Sequence, residues 1–202
     1  AVLVNGGGQR EINFQSHLHH LQRLLGLLQA SGVQREDIAI FNADGTDPEA
    51  DLATREVPGS PDFWLLPESG AMRLLAPPMV YVDSRLDGFT VQPARKEVLA
   101  QWFGSVGKSL GAGDTLLLYV TDHGEQNKED RSNNTIVLWK ETLSVAELRD
   151  MLAQLDPSVR VVMLMSQCFS GSFSNVMASA GAEPSGAVCG YFSSTADRLA
   201  YG

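Results

Sequence analysis

Two apolar runs of this chain end in side chains that could together attack a carbonyl. Thr121-Asp122-His123-Gly124 follows the run Leu116 to Val120, and Ser166-Gln167-Cys168-Phe169-Ser170-Gly171 follows a second run ending at Met165. A thiol is a weak nucleophile until it ionises; an imidazole beside it can stabilise the thiolate and later return the proton to a leaving amine. Gly124 adds a backbone N–H unshielded by any Cβ, which, with the N–H of Cys168, could bind a developing oxyanion. Taken singly, each residue has a plainer reading. A cysteine after an apolar strand is usually a small buried hydrophobe, and a lone histidine is usually a satisfied core or surface residue. The conjunction is what points to a Cys/His site: both follow strands, and both have glycine close behind.

The elements that must bring them together follow from periodicity. A strand over 1–4 stops at Asn5-Gly6-Gly7-Gly8, and a helix over 14–30 carries Leu18, Leu21, Leu25 and Leu28 at helical spacing, with Gly32 as its stop. A strand over 38–41 comes next. From 42 to 92 the pattern gives way to Pro, Gly and Asp around an apolar island of Phe63, Trp64, Leu65 and Leu66, a long excursion within the domain. The island is expected to pack the excursion onto the body. Pro93 suits a first helical position, and Val98, Leu99, Trp102, Phe103, Val106 and Leu110 share one face, closed by Gly111 to Asp114. The run over 115–120 leaves no polar face and reads as a central strand. A polar loop over 125–134 and a short strand over 135–139 follow. Ser144 and Glu147 have capping-box spacing ahead of a helix with Leu148, Met151, Leu152 and Leu155 on its core side. Strands over 160–165 and 187–193 complete the pattern.

Alternation of short strands with helices predicts one α/β domain over 1–202: three layers, a mostly parallel sheet and helices on both faces. A right-handed crossover sets the two reactive strand ends side by side, at the sheet edge where ligands collect in such folds.

Composition narrows the partners. With 44% hydrophobic residues in 202 there is enough for one core, and a formal net charge of −9 offers no basic footprint for nucleic acid. No apolar run is long enough to span a bilayer. The two cysteines, Cys168 and Cys189, make no disulfide framework or metal set. The chain begins at Ala1, which fits either removal of an export signal or trimming, so the compartment stays open. His17, His19 and His20 invite a zinc reading, but His19 points away on a helix and no nearby carboxylate completes the set, so no metal or other cofactor is expected. The glycines after the first strand lack the third glycine of a dinucleotide loop, with Glu11 in its place. Glu125, Glu129 and Asp130 do not match a calcium loop and read as solvated charges or a processing site.

The segments LLLYVTDHG and MLMSQCFSG, whose histidine and cysteine are 45 positions apart, resemble the paired signature of the legumain family, in the superfamily with caspases, clostripain and gingipains. The opening strand with Asn5-Gly6, the segment 31–40 and the closing YFSSTADRLAYG are similar to the legumain layout too. The resemblance implies a caspase-like fold and a thiol protease acting on peptide or protein substrates. It gives Cys168 and His123 the catalytic dyad and Gly124 an oxyanion role. In that family asparagine preference goes with an arginine before an early histidine and an acid two before the nucleophile. Here His17 matches the histidine, but Ser16 and Ser166 replace the arginine and the acid, so asparagine preference does not carry over. The strand 189–194 is expected to wall the first substrate pocket through Ser193 and Ser194. Asp197 could select a basic side chain, although a pairing with Arg198 or plain solvation is simpler. The superfamily usually has one strand more, so the resemblance implies a missing segment or a second chain completing the sheet. Two alternatives share the fold: a catalytically silent binding or scaffold module, and a transamidase resolving the same thioester with an amine.

Overall fold

The strand leading to His123 lies inside a six-stranded parallel sheet. The computed structural model describes residues 1–55, 78–177 and 188–200. In chain order the elements are β1 (Val2–Asn5), α1 (Gln15–Ala30), β2 (Ala39–Asn42), β3 (Leu52–Thr54), β4 (Val80–Val82), β5 (Val91–Gln92), α2 (Lys96–Gly104), β6 (Thr115–Thr121), β7 (Gly124–Glu125), β8 (Thr135–Leu138), β9 (Glu141–Ser144), α3 (Val145–Leu152), β10 (Arg160–Met165) and β11 (Val188–Phe192). The main sheet runs β11-β10-β6-β1-β2-β5, with every pairing parallel. The chain is thus a three-layer α/β fold, as the alternating pattern predicts.

The two faces are covered by different helices because strand side chains alternate. Leu116, Leu118 and Val120 of β6 join Leu99 and Phe103 of α2 and Leu148 and Met151 of α3 in one core. On the opposite face Leu3 and Ile40 pack with Leu18, Leu21 and Leu25 of α1, and Tyr119 lies against that cluster.

Three helix ends differ from expectation. α2 begins at Lys96 after an extended Arg95, so Pro93 precedes the helix instead of opening it, and the Lys96 N–H is satisfied by Glu141 Oε1 at 2.8 Å. It stops at Gly104, where glycine's backbone freedom weakens a helix. Val106 and Leu110 fall outside it, and Val106 is 52% exposed. α3 has the full capping box at Ser144 and Glu147 but ends at Leu152, before Leu155.

Among the described residues, three short strands interrupt the excursion over 42–92. β3 and β4 pair antiparallel, and β5 adds an edge to the main sheet beside β2. Phe63, Trp64, Leu65 and Leu66 lie outside the described residues. The strand expected over 135–139 is β8, the middle of an antiparallel β7-β8-β9 sheet. This small sheet clamps the loop after β1. A Cβ on Gly6 would fall 1.7 Å from the Val137 carbonyl oxygen, so only glycine lets the strands approach; Lys140 N–H donates to Gly8 O at 2.7 Å.

Candidate active site

β6 and β10 are neighbours, in register with Val120 opposite Met165. The Ser166 N–H donates to Val120 O at 2.9 Å, carrying the contact past the end of β10. Three residues beyond each member of that pair come His123 and Cys168. The backbones of Gly124 and Cys168 touch: a Cβ on Gly124 would lie 2.1 Å from the Cys168 carbonyl oxygen. Close approach to that carbonyl is therefore why this position must be glycine. The turns that follow are bent sharply. Asp122 sits at φ 90° and Phe169 at φ 58°, left-handed backbone that costs side-chain-bearing residues of order 1 kcal/mol or more and gathers at functional sites.

The imidazole of His123 is half-buried and held from the amino-terminal loop. Its Nε2 lies 3.0 Å from the Ile12 carbonyl oxygen, which can only accept, so Nε2 carries the hydrogen. The neutral ring then has its lone pair on Nδ1, the tautomer a base needs to receive a proton through that nitrogen. Asp122 Oδ1 approaches the same Nε2 at 3.3 Å, and the Val137 N–H donates to the His123 carbonyl at 3.0 Å. Phe14 meets the ring edge-on at a centroid distance of 6.0 Å.

Asp122 is the residue sequence reasoning missed. Its side chain is fully buried; one oxygen accepts the Gly7 N–H, and Oδ1 makes no hydrogen bond among the described residues. Burial pushes its carboxyl up to about 7, against the opposing pull of the His123 charge and of N–H groups from Gly7 and His123. The run of identical apolar signals through β6 hides it, and the backbone carbonyl of Ile12 carries no signal in a sequence at all.

The loop bearing Ile12 and Gly7 is fixed by buried amides. Asn5 Nδ2 donates to Asn42 Oδ1 at 2.8 Å and to Asn13 Oδ1 at 3.2 Å. Asn13 Nδ2 in turn donates to Asp51 O at 2.8 Å, while Asn42 Nδ2 donates to Ser84 Oγ at 2.7 Å. Ser84 gives both its N–H and its hydroxyl to the Asp51 carboxylate, each at 2.6 Å. Nearby Asp44 is pushed up to about 7 by burial and by the charge of Asp51.

Cys168 is partly exposed and free, as is the exposed Cys189. The Cys168 Sγ accepts the Ala200 N–H at 3.3 Å and reaches the Ala200 carbonyl at 3.8 Å, so the segment after β11 lies against the thiol. Gln167, wholly buried and packed against Gly124, has neither amide atom hydrogen-bonded among the described residues.

The expected substrate-contacting residues divide. His17, at the start of α1, stands beside the base: its ring centroid is 5.4 Å from that of His123, and its Nε2 is 3.4 Å from Asp122 Oδ1. Burial, and then the neighbouring His123 and His20, hold the His17 imidazole down at about 3. The expectation that no carboxylate stands near the α1 histidines is corrected here, since Asp122 arrives from the end of β6. Ser166 turns its hydroxyl onto Val120 O at 3.2 Å. Ser193 Oγ donates to Gln167 O at 3.3 Å, and the Ser194 hydroxyl exchanges hydrogen bonds with Ser170, so both serines brace the turn after Cys168. Asp197 is exposed, and its carboxyl accepts the Thr195 hydroxyl at 2.6 Å, which holds it below the usual carboxylate range. An open cleft of about 640 Å³ lined by Arg10, Asp44, Glu49, Arg95 and Trp139 contains none of these residues.

No family model and no curated protein matches the chain. Among solved structures it is similar to protein GSU0716 from Geobacter sulfurreducens, at 25% identity over 40% of this chain and 35% of that one, with a TM-score of 0.33.

Proposed function

We propose that the chain is a cysteine peptidase of legumain-like type, with a caspase-like fold, cleaving peptide bonds through a thioacyl-enzyme. The observation that carries the reading is the pairing of β6 with β10, which brings Gly124 and Cys168 into backbone contact and sets His123 and Cys168 just beyond the carboxyl ends of two neighbouring strands, with the imidazole already in the tautomer a base requires. In this reading Nδ1 of His123 takes the thiol proton and the Cys168 sulfur attacks the substrate carbonyl carbon. The oxyanion that forms accepts N–H groups of Gly124 and Cys168. As the C–N bond breaks, the imidazolium returns its proton to the leaving amine. A water, deprotonated by His123, then attacks the thioester and releases the acid and the thiol. The charge that His123 acquires is met by the Ile12 carbonyl at 3.0 Å and the Asp122 carboxyl at 3.3 Å.

The contact of Sγ with Ala200 favours the rival reading, a silent module whose thiol is occupied by its own chain. A fluorogenic peptide library varied at the first position separates the two. The peptidase reading expects release of fluorophore that disappears on alkylation of Cys168 or in Cys168→Ala. No turnover for any first-position residue, or turnover that survives Cys168→Ala, defeats it.

A further inference from the structure

We propose that His17 Nε2, Asp122 Oδ1 and His123 Nε2 form a binding site for a divalent transition metal of the zinc class, and that an ion there switches the base off. One nitrogen of each imidazole and one carboxylate oxygen lie within 4.8 Å of one another. Ligands about 2.0–2.1 Å from a tetrahedral ion stand roughly 3.3 Å apart. Asp122 Oδ1 is 3.4 Å from His17 Nε2 and 3.3 Å from His123 Nε2, so two edges of such a tetrahedron already exist.

A second observation, independent of the spacing, is the state of Oδ1. It is buried with no hydrogen-bond partner among the described residues, while its sister oxygen is tied to the Gly7 N–H. Buried carboxylate oxygens are rarely left so, and this one is aimed at two imidazoles. His17 is also oriented from behind, its Nδ1 lying 3.5 Å from Thr121 Oγ1, as outer partners commonly orient ligand histidines. Side-chain exposures of 18% for His17 and 32% for His123 leave an approach for the ion. Two imidazoles and one carboxylate suit zinc, cobalt or nickel ions; calcium and magnesium prefer all-oxygen sets.

Coordination uses the Nε2 lone pair of His123. The Nε2–H bond to Ile12 O must then break, and the proton of the neutral ring moves to Nδ1. A ring protonated at Nδ1 cannot take a proton from a thiol there, so the occupied site has no base. This consequence rests on the peptidase reading, but binding of the ion does not.

The test titrates chelator-stripped full chain with zinc by calorimetry and with cobalt by its visible absorption. One ion per chain with the intense bands of a tetrahedral cobalt site is expected. His17→Ala and His17→Gln should each weaken zinc at least tenfold, while His19→Ala and Cys168→Ala leave it within twofold, with thermal melts establishing that each variant is folded. No zinc binding by the wild-type chain, binding unaffected in both folded His17 variants, or binding lost with Cys168 or His19 overturns the site. Where turnover is present, the zinc concentration for half-inhibition, measured against each variant's own metal-free rate, should rise at least tenfold in the His17 variants. Zinc bound without peptide cleavage in the stripped chain refutes the peptidase reading alone; cleavage without zinc binding refutes the site alone.

Discussion

Replacing Gly124 with alanine pits one methyl group against the backbone contact that joins the two reactive strands. The new Cβ would sit 2.1 Å from the Cys168 carbonyl oxygen and 3.0 Å from Gln167 Cγ, whereas ordinary contact begins near 3.4 Å. Something must therefore move by more than an ångström. The carbonyl cannot yield freely, because Ser166 is bonded to Val120 and the Phe169 N–H donates to Arg198 O at 2.9 Å on either side of it. Overpacking of this kind costs about 1–3 kcal/mol of stability. Displacing a reacting group by about 1 Å costs roughly a hundredfold in rate. Gly26, on the exposed side of α1, is the control: a Cβ there meets nothing within 4 Å, so Gly26→Ala should gain up to about 1 kcal/mol and leave turnover alone. Urea denaturation of the three proteins, with kcat/KM on a cleaved peptide and the rate of Cys168 alkylation, reads both effects. A Gly124→Ala protein as stable as wild type and within threefold of its kcat/KM would show that the contact does not position the thiol.

Asn42→Ala removes the amide linking Asn5 to Ser84 and should cost about 1–3 kcal/mol in urea denaturation, with a loss of kcat/KM because the loop carrying Ile12 loosens. Asp44 keeps its proton in the folded chain up to about 7, against an ordinary value of 3.8, so its ionisation opposes folding. Stability should thus fall as pH rises from about 4 to about 7, and Asp44→Asn should be more stable than wild type at pH 7.5 but not at pH 4. Leu118→Ala, in the middle of β6 and 1% exposed, should cost about 2–5 kcal/mol by chemical denaturation without changing the metal stoichiometry.

How much of this was legible in the sequence varied with the length and chemistry of each signal. β6 and β10 stood out because apolar residues fill both faces, and their shared edge followed from crossover geometry. Ser144 and Glu147 announced α3 through paired side-chain chemistry. Val106 and Leu110 kept helical spacing past the true end of α2, since periodicity does not register the glycines that interrupt it. β3, β4 and β5, of two or three residues each, are too short for an alternating pattern to register. The β8-β9 hairpin was hidden by its turn, where Lys140 takes φ 62°, a conformation usually signalled by glycine or asparagine. The expected residues His123, Gly124 and His17 come together, but what joins them, Asp122 and the Ile12 carbonyl, depends on contacts between distant parts of the chain.

The strand order has a bearing on how the protein is made. β6 pairs with β1, and β1 with β2, so the inner half of the sheet, together with the loop that orients His123, is drawn from residues synthesised ahead of β10. On the other flank β10 is laid against β6 and β11 against β10, growing outward in the order of translation. The sulfur thus joins a base that is already in place. A polypeptide ending before β10 would present the bare flank of β6, an unpaired row of amides and carbonyls on an apolar strand, and such edges recruit other chains. Fragments terminated there should accumulate as aggregates.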